Sequence, residues 1–375
     1  MPADLIPPQD GPEGPVPAQG PPPAPGPTPA PRGAGSVATA ARCLVDAVWA
    51  PSPVSMRRIA LAGVISSAGI ILTGAAVRLS KSGLGCPDWP QCTRSSLVAA
   101  PTRGDPMFHT WIEFGNRLVT VLVIVVAVAV LVAAWRFRPG GPGTRRRADL
   151  VWLAAVQPAG VVAQIVLGGI VVLTNLNPAM VSLHFVVSIA VVAAAVALHV
   201  RCTEGTAPAR PLVRADLRLL SWAVVAVTAV MLAAGTVVTG TGPLAGAGAV
   251  PRYHLPLTGV TQFHSDIGWL LGGLVLPLVA GLQLTRAPAR VTRLGWLLLA
   301  LIGAQGAIGY TQYFSGLPAG LVWVHVSGSV LIWIAALRLM FATRDRGALS
   351  EPPPESPGGP AATARPEAAQ PAPAR

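Results

Sequence analysis

The sequence predicts an all-α integral membrane protein with eight transmembrane helices, arranged as two tandem four-helix bundles in parallel orientation. Three observations lead to this fold class. Long apolar stretches recur along the chain, arginines are concentrated in alternate linkers, and one segment of the first half reappears in the second.

Eight apolar stretches are long enough to cross a bilayer as helices. The 375-residue chain is 52% hydrophobic and only 11% charged, which is too apolar for a soluble domain of this length. A helix needs about 20 mostly apolar residues to cross the hydrocarbon core of a membrane. The predicted spans are residues 59–79, 111–135, 150–173, 179–200, 217–240, 258–284, 293–313 and 318–341.

The placement of the basic residues predicts the orientation of these helices. A net charge of +12 would by itself suggest a nucleic-acid partner. Twelve arginines, however, lie around the linkers after spans 2, 4 and 6, whereas the linkers after spans 1, 3, 5 and 7 carry four basic residues. This is the positive-inside pattern. We therefore expect a membrane protein with both termini in the cytoplasm, in contact with lipid and with no nucleic acid.

Composition divides the chain into four parts. Residues 1–56 and 347–375 are rich in Pro, Gly and Ala and cannot bury a core, so both are expected to be disordered cytoplasmic tails. Residues 57–205 and 206–346 between them are the two predicted four-helix halves.

An internal repeat supports this division. Two 21-residue stretches align without gaps, "QIVLGGIVVLTNLNPAMVSLH" ending at His184 and "QGAIGYTQYFSGLPAGLVWVH" ending at His325. Each begins with Gln and has Gly four residues later. A weaker match joins residues 71–83 to residues 231–243. Because each half has an even number of spans, the two copies are expected to share one orientation in the membrane.

Three histidines lie at matching depth in the predicted helices. His184, His264 and His325 each stand a few residues into a span that enters from the outside, roughly 8–10 Å below the outer surface at a rise of about 1.5 Å per residue. For a single histidine, a packed core residue is the alternative. The pair His264 and His325, on spans 6 and 8 of one half, suits two axial ligands of a heme iron.

The first half has a different set of polar residues. Asn116 stands where His264 stands in the second half, and Asn is a poor iron ligand, which leaves His184 as the first half's matched ligand. His109 lies on nearly the same face of this helix, about 10 Å further out, and is an alternative ligand. Glu113 lies between them, and a carboxylate just inside a membrane indicates function. The structural alternative is an ion pair between Glu113 and Arg117, one helical turn apart.

These residues resemble the heme A synthase family of cytochrome oxidase assembly enzymes. The motifs are "SGLGCPDWPQC" in the first outer loop, "IEFGNR", "SLHF", and the histidines of "TQFHSD" and "WVHVSG". The resemblance covers about residues 57–342. It implies a heme b cofactor held by His264 and His325, and heme O as the substrate bound in the first half near His184, Asn116 and Arg117. The family usually has Glu-x-x-His-Arg where this chain has Asn116.

The resemblance also implies the reaction and the partners. The methyl group at C8 of heme O would be oxidised to a formyl group, with Glu113 as the catalytic residue and Arg117 either meeting a heme propionate or reaching the membrane surface. Heme O synthase, other oxidase assembly factors and an electron donor of unknown identity are the expected partners. A di-heme b-type electron-transfer cytochrome and a transporter with duplicated bundles are the alternative functions.

Cys86 and Cys92 lie in the first outer loop. That loop is expected to face an oxidising compartment, where thiols pair, and the family shares a disulfide at this place. The bridge would fix the loop over the first heme site, with a redox role or as a purely structural link.

Overall fold

In a computed structural model, which describes residues 50–93, 96–99, 107–140 and 145–349, eight long helices account for most of the chain. Their bounds are α1 Pro53–Leu79, α2 Met107–Arg136, α3 Ala148–Leu173, α4 Pro178–Arg201, α5 Ala215–Thr241, α6 Leu257–Leu284, α7 Ala289–Phe314 and α8 Ala319–Ala342. Each contains one predicted span almost entirely, so the all-α fold with eight spans is confirmed. Most of both predicted tails lies outside the described residues.

Each helix is long and apolar enough to cross a membrane. The most apolar stretches of the eight helices have a mean hydropathy between 1.5 and 3.1. Large side chains stand uncovered on the outside of the bundle, including Leu284 at 84% and Phe314 at 79% exposure. Such surfaces are stable against lipid tails and not against water. Helix starts carry ordinary signals: Asn177 accepts a hydrogen bond from the amide of Ala179, and Pro178 occupies the first turn of α4.

The helices pack as two rings of four. In the first half α1, α2, α3 and α4 each contact the next, and α4 returns to α1; α5, α6, α7 and α8 do the same in the second half. The halves meet through α1, α4, α5 and α8, where Trp333 Nε1 donates to the Ile189 carbonyl at 2.9 Å and Trp323 Nε1 to the Leu72 carbonyl at 3.0 Å. This arrangement is compatible with two tandem four-helix bundles.

The turns between α3 and α4 and between α7 and α8 repeat the same geometry. Leu176 and Leu317 both have φ of 59°. Their amides donate to the carbonyls of Val171 and Gln312, each at 2.8 Å. Leu317 follows Leu176 by the same number of residues as Gln305 follows Gln164 in the sequence repeat. The repeat is therefore present in backbone conformation as well as in sequence.

Two ends of the bundle differ in character. We call the end that carries residues 80–93 the loop face, and the end that carries the linkers after α2, α4 and α6 the basic face. On the basic face, β1 (Arg210–Pro211) pairs antiparallel with β2 (Arg344–Asp345) and joins the linker before α5 to the end of α8. Beside this small sheet, Asp149 pairs with both Arg147 and Arg201, each at 2.7 Å.

Candidate functional site

His264 and His325 face each other inside the second ring. His264 is on α6 and His325 is on α8, the two helices on one diagonal of the ring. Their ring centroids are 6.4 Å apart and the ring planes are inclined by 69°. The Nδ1 atoms of both rings are buried and have no hydrogen-bond partner among the described residues. The structure thus brings together the two residues that the sequence predicted as a ligand pair.

Two glycines cradle this pair. A methyl group placed on Gly235 of α5 would lie 3.2 Å from Cε1 of His264, and one placed on Gly309 of α7 would lie 3.2 Å from Cε1 of His325. Both distances are shorter than an ordinary carbon–carbon contact of about 3.5–4.0 Å. Each imidazole therefore lies directly on the backbone of a neighbouring helix, with no space for a larger residue.

The pair fits an iron porphyrin. Two imidazole nitrogens bound on opposite sides of one metal ion, each at about 2 Å, put the ring centroids roughly 6 Å apart. The observed separation of 6.4 Å agrees with this requirement. Among the described residues no group of three or more His, Cys, Asp or Glu side chains is placed to hold a metal ion. A heme needs only two protein ligands, because the porphyrin supplies the other four.

His184 has the corresponding position in the first ring. It lies on α4 against Gly168 of α3, where a methyl group would be 3.6 Å from Cε1, and its Nδ1 is also buried without a partner. The side-chain amide of Gln164 donates to the His184 carbonyl at 2.9 Å and to Ser188 Oγ at 2.7 Å. Gly168 and Gly309 are matched positions of the sequence repeat, so a glycine lies behind the histidine in both halves, with an ordinary contact distance in the first and a tighter one in the second.

Asn116 lies on α2 and contacts α1, as His264 lies on α6 and contacts α5. Its Oδ1 accepts a hydrogen bond of 2.7 Å from Thr73 Oγ1. The first ring therefore has one histidine and one hydrogen-bonded amide where the second ring has two histidines. The inequality of the two rings as heme sites stays a prediction.

Glu113 and Arg117 connect the loop of residues 80–93 to α2. They form an ion pair at 2.9 Å, which is the structural alternative that the sequence offered. Glu113 is buried, and its other oxygen accepts from the Cys86 amide at 2.8 Å. Arg117 also donates to the carbonyls of Cys86, Asp88 and Gln91 at 2.9–3.1 Å. A guanidinium with this many partners holds the loop in one position.

The predicted disulfide is present, and its loop rests on the first ring. Cys86 and Cys92 are bonded to each other and are both fully buried. Between them, Trp89 lies so close to α3 that a methyl group on Gly169 would be 2.7 Å from its indole ring. Gly169 directly follows Gly168, the glycine of α3 against which His184 packs. The loop between the two cysteines therefore packs on the helix that supports the first-half histidine.

His109 belongs to the same assembly. Its Nδ1 is 2.8 Å from Ser82 Oγ, and its carbonyl lies directly against Gly85, where no Cβ would fit. The observed contacts attach His109 to the loop. Its role as an iron ligand stays a prediction, as do the catalytic role of Glu113 and a propionate contact for Arg117.

Four contacts were not predicted from the sequence. They are the close contacts of Gly235 with His264 and of Gly309 with His325, the hydrogen bond from Thr73 to Asn116, and the packing of Trp89 on Gly169. Only Gly309 had a sequence signal, because it is the repeated glycine four residues after Gln305. The other contacts depend on which helices become neighbours.

Comparison with known proteins gives consistent matches. The model of the family described as COX15-CtaA, cytochrome oxidase assembly protein, matches residues 57–337. A heme A synthase of Geobacillus thermodenitrificans is 33% identical over 115 residues, which is 30% of this chain and 32% of that protein. A heme A synthase of Geobacillus kaustophilus is 32% identical over 111 residues, which is 29% of this chain and 30% of that protein. A heme A synthase of Bacillus cereus is 30% identical over 115 residues, which is 31% of this chain and 33% of that protein. The aligned part spans about a third of these curated relatives.

Proposed function

Because the chain belongs to the COX15-CtaA family of cytochrome oxidase assembly proteins, as its motifs predicted, we propose that it is a heme A synthase. It would be an oxidoreductase that converts the C8 methyl group of heme O to a formyl group. The observation that supports this best is the inequality of the two rings. One has a histidine pair; the other has a single histidine and, at the sequence position that matches the second histidine, an amide hydrogen-bonded to Thr73. An enzyme that uses one heme and transforms another needs two unlike sites.

The second ring is proposed to hold heme b. His264 and His325 would bind its iron through their imidazole nitrogens, and Gly235 and Gly309 behind them limit the positions that the two imidazoles can take. When bound, the heme supplies one-electron redox chemistry. The apolar helices of the ring would exclude water from it. Neutral imidazoles suit this role, because a metal-bound histidine nitrogen must be unprotonated.

The first ring is proposed to bind heme O as substrate. His184 would bind its iron on one side. Gly168 lies behind the His184 imidazole, and the Gln164 side-chain amide holds the backbone of α4 at His184. Asn116 would face the other side. Since its oxygen is already engaged by Thr73, Asn116 would leave that side without a strong protein ligand. Weak axial binding on one side suits a heme that must enter as substrate and leave as product.

Glu113 is proposed to act at the edge of the first ring. Its carboxylate is buried yet held by Arg117 and the Cys86 amide, so it has a fixed position and a compensated charge. A carboxylate in this setting can hold or move a proton released as the C8 methyl group is oxidised. Arg117 and the disulfide would keep the loop closed over the substrate while this happens.

The proposed location is the bacterial plasma membrane, with the loop face outside and both termini in the cytoplasm. Heme O synthase, oxidase assembly factors and an electron donor are the proposed partners. Of the alternative functions, a transporter would require broken helices near the membrane centre, whereas the helices here are continuous even at Pro158 and Pro277. A di-heme cytochrome would require comparable ligand sets in both rings.

Pigment analysis tests the proposed function. The full chain is expressed in a host that makes heme O and lacks its own heme A synthase, and hemes are extracted from the purified protein and separated by chromatography. The proposal predicts heme A together with heme B, and predicts that His184→Ala loses heme A while keeping heme B. Recovery of heme B alone from the unaltered protein in the presence of heme O would favour the cytochrome alternative and reject the synthase.

A further inference from the structure

A pocket of about 440 Å³ opens on the basic face between the start of α5 and the end of α8. It is far from both histidine sites, which lie toward the loop face. Its lining combines two arginines, Arg218 and Arg344, with the large apolar side chains of Leu219, Trp222 and Phe341. The pocket is therefore a positively charged recess with apolar walls at the level where the helices leave the membrane.

The charge of Arg344 is poorly compensated. Its nearest carboxylate is Glu204 at 3.9 Å, and that carboxylate is already bound by Arg201 at 2.8 Å. The Nε atom of Arg344 is buried and has no hydrogen-bond partner among the residues that the structure describes. Its guanidinium carbon lies 5.0 Å from the centre of the Phe341 ring.

Arg218 is the second cation of the pocket. Within the described part of the chain, its guanidinium has no hydrogen bond and no ion pair. It stands in the first turn of α5, one turn before Trp222. Trp222 is 60% exposed and Leu219 is 73% exposed on the outer surface of the bundle. Tryptophan and arginine together are typical of a helix at the boundary between lipid tails and headgroups.

From these contacts we propose that the pocket binds the headgroup of an anionic phospholipid. The phosphate diester would lie between Arg218 and Arg344, accept hydrogen bonds from their free N–H groups, and supply the negative charge that Glu204 does not. The acyl chains would lie along Leu219 and Trp222. A lipid fits better than free phosphate, because the recess continues onto a surface that is already exposed to the membrane. Basic pockets between helices on this side of a membrane commonly hold such headgroups.

Native mass spectrometry of the detergent-purified full chain tests this site. Phosphatidylglycerol and phosphatidylcholine with identical acyl chains are added in separate titrations. The proposal predicts preferential binding of phosphatidylglycerol. Arg218→Gln and Arg344→Gln should each weaken that binding about fivefold, because one basic residue at a membrane surface contributes about 1 kcal/mol. Arg218→Gln breaks no hydrogen bond or ion pair among the described residues, so it is the variant less exposed to folding defects.

Arg290→Gln is the matched control, because Arg290 is an exposed arginine at the start of α7 on the same face and outside the pocket. It should change phosphatidylglycerol binding less than twofold. Equal binding of the two lipids, or an equal loss in all three variants, would overturn the proposal. So would displacement of the lipid by millimolar inorganic phosphate, or lipid binding that arises only after residues 350–375 are deleted, since that tail would then be the occupant.

Discussion

Gly309 offers the sharpest test of the histidine pair. A methyl group at this position already lies 3.2 Å from Cε1 of His325, which is about 0.5 Å closer than an ordinary contact. Valine adds two further carbons about 1.5 Å beyond that methyl group. Gly309→Val should therefore push the imidazole by about 1–2 Å, and a metal–nitrogen bond of about 2 Å does not survive such a shift.

The matched control is Gly306→Val on the same helix. A methyl group on Gly306 meets no atom within 4 Å, so the same substitution enters open space there. Both sites are in the interior of α7, so the change in helix propensity is the same. We expect Gly309→Val to lose the low-spin bis-imidazole signal in electron paramagnetic resonance and about half of the bound heme, while Gly306→Val keeps both. An unchanged low-spin signal in Gly309→Val would refute the cradle and the ligand assignment of His325.

Three further predictions concern the first ring, the loop and the basic face. Glu113→Gln should leave the low-spin heme intact and abolish heme A in extracted pigments; normal heme A would remove Glu113 from the mechanism. Trp89→Ala should lower heme A formation severalfold with the Cys86–Cys92 bridge retained, because the loop loses its packing contact with Gly169 of α3. Mass spectrometry without reduction checks the bridge, and full activity would show that this contact is unimportant. Burial raises the pKa of Cys202 to about 11, so its thiol stays protonated at pH 8 and its alkylation should accelerate as the pH approaches 11; rapid labelling at pH 8 would contradict its buried position.

The sequence predicted the helices well because hydropathy is a local property. The predicted span 258–284 and the observed α6, Leu257–Leu284, differ by one residue. The start of α1 was less accurate: the helix begins at Pro53 and not near residue 59, because its first two turns include Ser55, Arg57 and Arg58 at the membrane surface. Hydropathy does not record that turn, whereas the capping Ser52 and the following proline do.

The site was predictable where the repeat or helical spacing carried it. His264 and His325 came from matching depth, and the Glu113–Arg117 pair came from a separation of four residues on one helix. The contact from the Cys86 amide to Glu113 was not predictable, because it joins a loop to a helix across 27 positions. The same holds for Gly235, whose role depends on α5 being the neighbour of α6. Sequence indicates which residues are unusual, and packing decides what they contact.

The central claim is that the two rings bind heme unequally, and the spin states of the bound irons test it most directly. Near-infrared magnetic circular dichroism is recorded on protein loaded with both hemes, beside Asn116→His. The unaltered protein should show one low-spin bis-histidine heme and one high-spin heme, and Asn116→His should convert the second to low spin. Two low-spin bis-histidine hemes in the unaltered protein, or no bound heme at all, would contradict the account.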